Sequence, residues 1–158
     1  MKKTELNNNP YYGLRDQVFQ LNTKKLKIKN YPKQDPFGLI MEFAISNHTV
    51  TEVAFITGDA SIYLSSGGGF IGGQGHKSVV DAAISLVKES KEYMNEMDKT
   101  KDYPLPNKGK VIFYILTDNG VLSLKSKESS LQKKKASYWK LYYLGQNLIT
   151  EYRKISGK

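Results

Sequence analysis

Apolar residues return along this chain at two spacings, and the change from one to the other divides it into elements. After Asn9-Pro10, an N-cap followed by proline at the first helical position, Tyr11, Leu14, Val18 and Leu21 recur every three or four residues and predict a short helix to about Leu21. Residues 23–36, TKKLKIKNYPKQDP, mix lysines with two prolines and read as a connector without a regular core element. FGLIMEFAISN (37–47), TVTEVAFIT (49–57) and ASIYLSS (60–66) are short and rich in β-branched and aromatic residues. The turn pairs Asn47-His48 and Gly58-Asp59 separate them, which predicts three hairpin-linked antiparallel strands with His48 as a surface turn residue.

Beyond a glycine-rich loop the longer period comes back. Val79, Val80, Ala83, Ile84, Val87, Met94 and Met97 share one face, opposite Lys88, Glu89 and Glu92, and predict a long amphipathic helix from about His76 to Met97. DKTKDYPLPNKG (98–109) is a polar, proline-bearing loop. VIFYILT (111–117), apolar on both faces, reads as a central strand that turns at Asp118-Asn119-Gly120 into an edge strand, VLSLKSK (121–127). There Val121, Ser123, Lys125 and Lys127 share a face, and lysines on an outer strand oppose edge-to-edge pairing. ESSLQKKKA (128–136) reads as a charged loop, and from Ser137 the stripe Leu141, Leu144, Leu148, Tyr152 and Ile155 predicts a C-terminal helix.

The predicted order is α-βββ-α-ββ-α. The fold class is α/β (α+β): a single-domain sandwich over 1–158, with residues 1–8 expected to be disordered, and a five-stranded, mainly antiparallel sheet with helices packed on it. At the level of architecture this resembles the profilin and roadblock class of small regulatory domains, a likeness that assigns no function.

Composition adds a core and removes some chemistry. With 158 residues, 39% of them hydrophobic, the chain is long enough to fold around one core without metal or disulfide. Cysteine is absent, which excludes a disulfide framework, a thiol nucleophile and Cys-ligated zinc. Polar residues follow Lys2 and Lys3 where a secretory leader needs an apolar stretch, and no run reaches the length of a membrane span, so a cytoplasmic protein without a membrane partner is expected.

The net charge of +9 is uneven: residues 1–35 hold 8 basic and 3 acidic groups, 36–122 hold 7 and 10, and 123–158 hold 9 and 2. Basic ends suit an anionic partner, nucleic acid or an acidic protein surface. The stronger reading, in a chain rich in Lys, Asn, Tyr and Ile, is that scattered surface lysines only solvate it.

The candidate chemistry gathers at residues 59–76, DASIYLSSGGGFIGGQGH, with six glycines between a strand and a helix. Gly67, Gly69 and Gly72 spell G-x-G-x-x-G, but the preceding strand closes an antiparallel meander, where a dinucleotide site needs the first strand of a parallel βαβ unit. A P-loop is excluded because His76 interrupts the Gly-Lys-Ser run of Gly75, Lys77 and Ser78. What survives is a generic anion site, the backbone N–H groups at the helix start with the charge of Lys77, or a plain corner made by glycines with φ > 0.

Ser65 and Ser66, with His76 beyond, hold the parts of an activated nucleophile but lack the G-x-S-x-G elbow, and no cluster has metal-ligand spacing. No complete catalytic constellation and no cofactor motif emerges. Two or three glycines would turn the corner; six predict a backbone lying close to a neighbour or a ligand, with Phe70 and Ile71 anchoring the loop to the core. The candidate contact residues are Ser65, Ser66, Gly67, Gly68, Gly69, Gly72, Gly73, Gly75, His76 and Lys77. A second candidate is the basic patch Lys133, Lys134, Lys135 and Lys140 beside Tyr138, Trp139, Tyr142 and Tyr143, the ingredients for stacking on single-stranded bases, with at least half of these aromatics expected in the core.

Three stretches, NPYYGLRDQVFQL, GDASIYLSSGGGFIGGQGH and FYILTDNGVL, together resemble a family of small uncharacterised bacterial proteins in which a Ser-x-Tyr-x-Ser-x-Gly-Gly-Gly-x-Ile-Gly stretch recurs. The resemblance spans most of the chain and implies no catalytic residue and no cofactor; the lysine-rich tract KESSLQKKKASYWK departs from it. The expectation is a non-enzymatic binding domain that meets a protein partner through the glycine loop. The alternatives are a small-anion or nucleotide-binding regulator using the loop and the helix start at His76, and a nucleic-acid binder using the basic ends.

Overall fold

The computed structural model describes residues 8–157. Helix α1 (Pro10–Phe19) opens as its sequence predicts: Asn9 caps it, its side-chain oxygen accepting from the Tyr11 N–H at 3.0 Å, and Pro10 takes the first position. The connector after it has no strand or helix. Strands β1 (Gly38–Ile45), β2 (His48–Phe55), β3 (Ala60–Leu64) and β4 (Gly69–Ile71) follow, then α2 (Lys77–Ser90), a 3-10 segment (Lys91–Glu96), β5 (Asp98–Thr100), β6 (Lys110–Thr117), β7 (Gly120–Lys127), the single turn α3 (Glu128–Leu131) and α4 (Trp139–Ser156). The expectation of disorder over residues 1–8 lies outside the described residues except for Asn8, which is helical.

One sheet holds seven strands in the order β4-β3-β2-β1-β6-β7-β5. Every pairing in it is antiparallel. The five expected strands are all present, and the two additions, β4 on β3 and β5 on β7, are three residues each. A three-residue strand is too short to display a period of two, and one of these is half glycine-flanked backbone, so neither leaves a pattern in the sequence. β5 covers β7 only over 121–123, so β7 is not the edge strand expected, and its lysines guard only its far half.

Helices α2 and α4 cover one face of the sheet, over Leu39, Met41, Phe43, Val50, Ile62 and Phe113. The other face carries Ile40, Val53, Ile112, Tyr114 and Leu116, closed by Val18 of α1 and by Leu26, Ile28 and Tyr31 of the connector. β1, β2 and β6 are thus buried on both faces, which is why β6 reads as a continuous apolar run.

Four boundaries differ from the sequence reading. The β1–β2 register pairs Ile45 with His48, so the turn is Ser46-Asn47, with Ser46 at φ +50°, and His48 is the first residue of β2 and half-buried. The expected helix from His76 to Met97 stops at Ser90, whose hydroxyl donates to the Val87 carbonyl at 2.6 Å; the chain then tightens into the 3-10 turn before Met97 is buried. The charged loop 128–136 begins as α3, because buried Leu131 pins it. The C-terminal helix starts at Trp139, two residues after Ser137. No helix among the described residues is long and apolar enough to cross a membrane.

Candidate functional site

The glycine-rich segment is a hairpin, not an open loop. Ser65 ties its base to two other elements: its N–H donates to the Thr49 carbonyl at 3.0 Å, its hydroxyl accepts from the Thr49 N–H at 2.7 Å, and its carbonyl accepts from the Asn9 amide at 3.0 Å. The Gly67 N–H then donates to Leu64 and the Leu64 N–H to Gly68, closing the turn. Gly67, Gly68, Gly69, Gly72 and Gly73 all have positive φ, so conformation alone claims five of the six glycines, more than the two or three a corner was expected to need.

Close approach, the other expected reason, applies at two of them. A Cβ on Gly69 would lie 2.0 Å from the Ile62 carbonyl oxygen, and one on Gly73 would meet Val79 at 3.0 Å and Tyr152 at 3.3 Å. Gly67, Gly68, Gly72 and Gly75 face open space. Tyr152 fastens the returning strand from the opposite helix, its hydroxyl shared between the carbonyls of Ala60, at 2.6 Å, and Gly72. Burial pushes that hydroxyl's pKa up to about 12, so it stays a donor across the working pH range.

Phe70 anchors the hairpin as expected, stacked on Tyr152 with ring centroids 5.7 Å apart. Ile71 does not: it is 74% exposed. Neighbours in a strand point to opposite faces, so docking Phe70 under α4 turns Ile71 outward. It borders a groove of about 400 Å³ between the hairpin and the start of α1, walled by Pro10, Tyr11 and Leu14 on one side and Tyr63, Leu64 and the turn glycines on the other.

The remaining candidates scatter. His76 is the N-cap of α2 without a side-chain cap bond, and its N–H is taken by the Gly73 carbonyl at 2.9 Å. Lys77 pairs with Asp81 at 2.5 Å along the helix, in solvent. Neither Ser65 nor the exposed Ser66 hydrogen-bonds to His48 or His76, so the structure does not assemble the nucleophile and base. Lys133, Lys134 and Lys135 are exposed, while Lys140 is engaged with Glu89 at 3.1 Å. Trp139 stacks on Tyr143, centroids 5.1 Å apart at 19°, with the Lys134 ammonium 5.8 Å over the Trp139 ring. Tyr142 is buried and Tyr138 packs against Tyr93, so half of these aromatics serve the core. Among the described residues no group of three or more metal-ligating side chains gathers.

Three residues were missed. Arg15 and Glu42 form a buried ion pair between α1 and β1, and Glu52 is buried in β2 with both carboxylate oxygens unpartnered. The available signal was a lone acid inside each of two strands, GLIMEFAI, otherwise apolar, and HTVTEVAF, whose other polar residues are His48 and two threonines. No family model, curated protein or solved structure matches this chain.

The hairpin geometry gives a direct expectation. Gly69→Ala should cost about 2 kcal/mol or more, since φ is +146° and the Cβ meets a carbonyl oxygen that cannot move without breaking β3. Gly75→Ala, in open space and without a positive φ, should be neutral or stabilise by about 0.4–1 kcal/mol. Urea denaturation of the two variants checks the order; equal effects would contradict it.

Proposed function

We propose that this chain is a binding domain, not an enzyme, and that it receives an extended segment of a partner protein along the outer edge of β4. The observation that carries this reading is the contrast between the two edges of the sheet. One edge ends in Asp98-Lys99-Thr100, charged, the composition by which sheets discourage further pairing. The other ends in Gly69-Phe70-Ile71, uncharged, with Ile71 in solvent and the apolar groove beside α1 next to it. On such an edge main-chain hydrogen bonds supply affinity, and a neighbouring groove that accepts alternate side chains supplies selectivity.

A linear-peptide display selection on the immobilised chain tests the reading. It should return sequences with apolar residues at alternate positions, whose affinity falls about tenfold or more in Ile71→Lys. The melting temperature should hold, because Ile71 lies in solvent. Binders indifferent to Ile71→Lys would contradict the reading. A concentration-dependent dimer dissolved by the same substitution would give the edge to a second copy of the chain.

The Trp139–Tyr143 stack under Lys134 favours a second reading, a platform for single-stranded nucleic acid beside the lysine run. Oligonucleotide binding that weakens steeply with salt and is lost in Trp139→Ala would support it. The anion-regulator reading retains the uncapped start of α2 and the exposed Lys77, which pairs with Asp81 in solvent.

A further inference from the structure

On the face of the sheet opposite the α1 groove, α4 roofs a second cleft. Its volume is about 400 Å³, inside the range of roughly 300–1,000 Å³ typical of small-molecule sites. The floor is apolar: Phe43, Val50 and Ile62 are buried side chains of three adjacent strands, turned toward α4 by the pleat. Phe70 of β4 closes one side.

The wall is one stripe of α4, Tyr142, Gln146, Ile149 and Arg153, spaced four, three and four residues apart and therefore aligned on a single helix face. Eleven residues of rise place the ends of this stripe about 16 Å apart, so the cleft is long and narrow. Its two ends differ in charge. At the Tyr142 end the only acid lining the cleft, Glu128, already accepts from the Tyr142 hydroxyl at 3.0 Å. At the other end stands Arg153, and among the described residues no side-chain hydrogen bond or ion pair engages Arg153, Gln146 or His48, all of which line the cleft.

A long apolar trough that ends at an uncommitted guanidinium is complementary to a chain-like molecule with an anionic head. We propose that this cleft binds a small amphipathic carboxylate, its alkyl body on Phe43, Val50 and Ile62 and its carboxylate on Arg153. A guanidinium presents paired N–H donors in the fork that a carboxylate accepts, which an ammonium does not. The Gln146 amide, two turns before Arg153 on the same stripe, is available to the bound molecule as a further donor. This site is independent of partner binding at β4, since its cation and most of its floor lie on other elements.

Titration calorimetry with decanoate below its micelle concentration tests the proposal, with decanol and a decyl ammonium as controls. Decanoate should bind saturably, decanol about tenfold or more weakly, and the ammonium not at all. Arg153→Glu should weaken decanoate about tenfold or more and leave decanol unchanged. Among the described residues the exposed Arg153 side chain has no partner to lose, so this variant keeps the fold. Ile149→Trp, which fills the trough, should abolish both, with melting temperature confirming that it folds. The proposal is overturned if decanoate does not saturate, if decanol binds equally well, or if Arg153→Glu leaves decanoate affinity intact.

Discussion

Glu52→Met is expected to stabilise the protein at neutral pH by about 2–4 kcal/mol. Glu52 lies at the middle of the sheet, opposite Met41 on β1 and Ile62 on β3, entirely shielded from solvent, with neither carboxyl oxygen hydrogen-bonded. The helix above it comes close at Gly145, where a Cβ would lie 2.6 Å from the Met41 sulfur and 3.6 Å from a Glu52 oxygen. Burial therefore pushes the Glu52 carboxyl well above the ordinary carboxylate range.

With its pKa raised by burial, Glu52 stays protonated in the folded protein over a pH range in which the unfolded chain holds a carboxylate, so folding in that range takes up a proton. With the folded pKa raised, the stability linked to this group is full below the ordinary carboxylate pKa and is lost as pH rises toward the folded value. Within that window the slope reaches about 1.4 kcal/mol per pH unit. Met removes both the slope and the unpaired polar group at similar volume; Gln removes the slope alone and leaves an unsatisfied amide. Urea titrations across pH should show wild type losing stability as pH rises relative to both variants, with Met the most stable. A Gln variant that keeps the slope, or a Met variant less stable than wild type, would contradict the assignment.

Long periodic segments were legible, and short or long-range features were not. The Asn9-Pro10 cap marks the start of α1, the doubly apolar run marks β6 as a central strand, and the stripe of α4 repeats its period often enough to specify both type and orientation. β4, β5 and α3 are too short to repeat anything, and α2 ends where one serine hydroxyl competes for a carbonyl. The glycine segment shows how one missed element propagates. Read as a loop, it puts Phe70 and Ile71 together in the core; read as a strand, its alternation separates them, with one under α4 and the other in solvent. The one-residue shift of the first turn acts in the same way on His48, which moves from a surface turn into the wall of the α4 cleft. Contacts that close the site, such as Tyr152 to Gly72 across 80 residues, have no local signature at all.

The same long-range character defines the other large effect, at Arg15. On α1 this side chain follows Tyr11 by one turn and is buried against β1, its Nε and Nη2 each donating to the Glu42 carboxylate at 2.7 Å while Nη2 also reaches the Tyr103 carbonyl at 2.8 Å. The Thr51 hydroxyl donates to Glu42 at 2.5 Å, and the Tyr11 hydroxyl bonds Thr51 in turn at 2.6 Å. Phe19 lies 5.0 Å from the guanidinium carbon. Truncating the cation leaves the Glu42 carboxylate dry and unpaired, so Arg15→Met should cost about 3–5 kcal/mol. Arg15→Lys should recover only part of this, because an ammonium cannot make both parallel bonds and also reach Tyr103. The double variant Arg15→Met, Glu42→Leu removes both charges together and should be clearly more stable than Arg15→Met alone, since the desolvation penalty of an isolated ion disappears. Because Asn9 at the start of α1 also holds Ser65 and, with Pro10, walls the groove beside β4, peptide affinity at that edge should fall with Arg15→Met and return in the double variant. A double-mutant cycle by urea denaturation, run alongside peptide titration, measures both. Additive losses, with the double variant the least stable of the three, would show that the pair does not hold α1 to the sheet in the way its geometry requires.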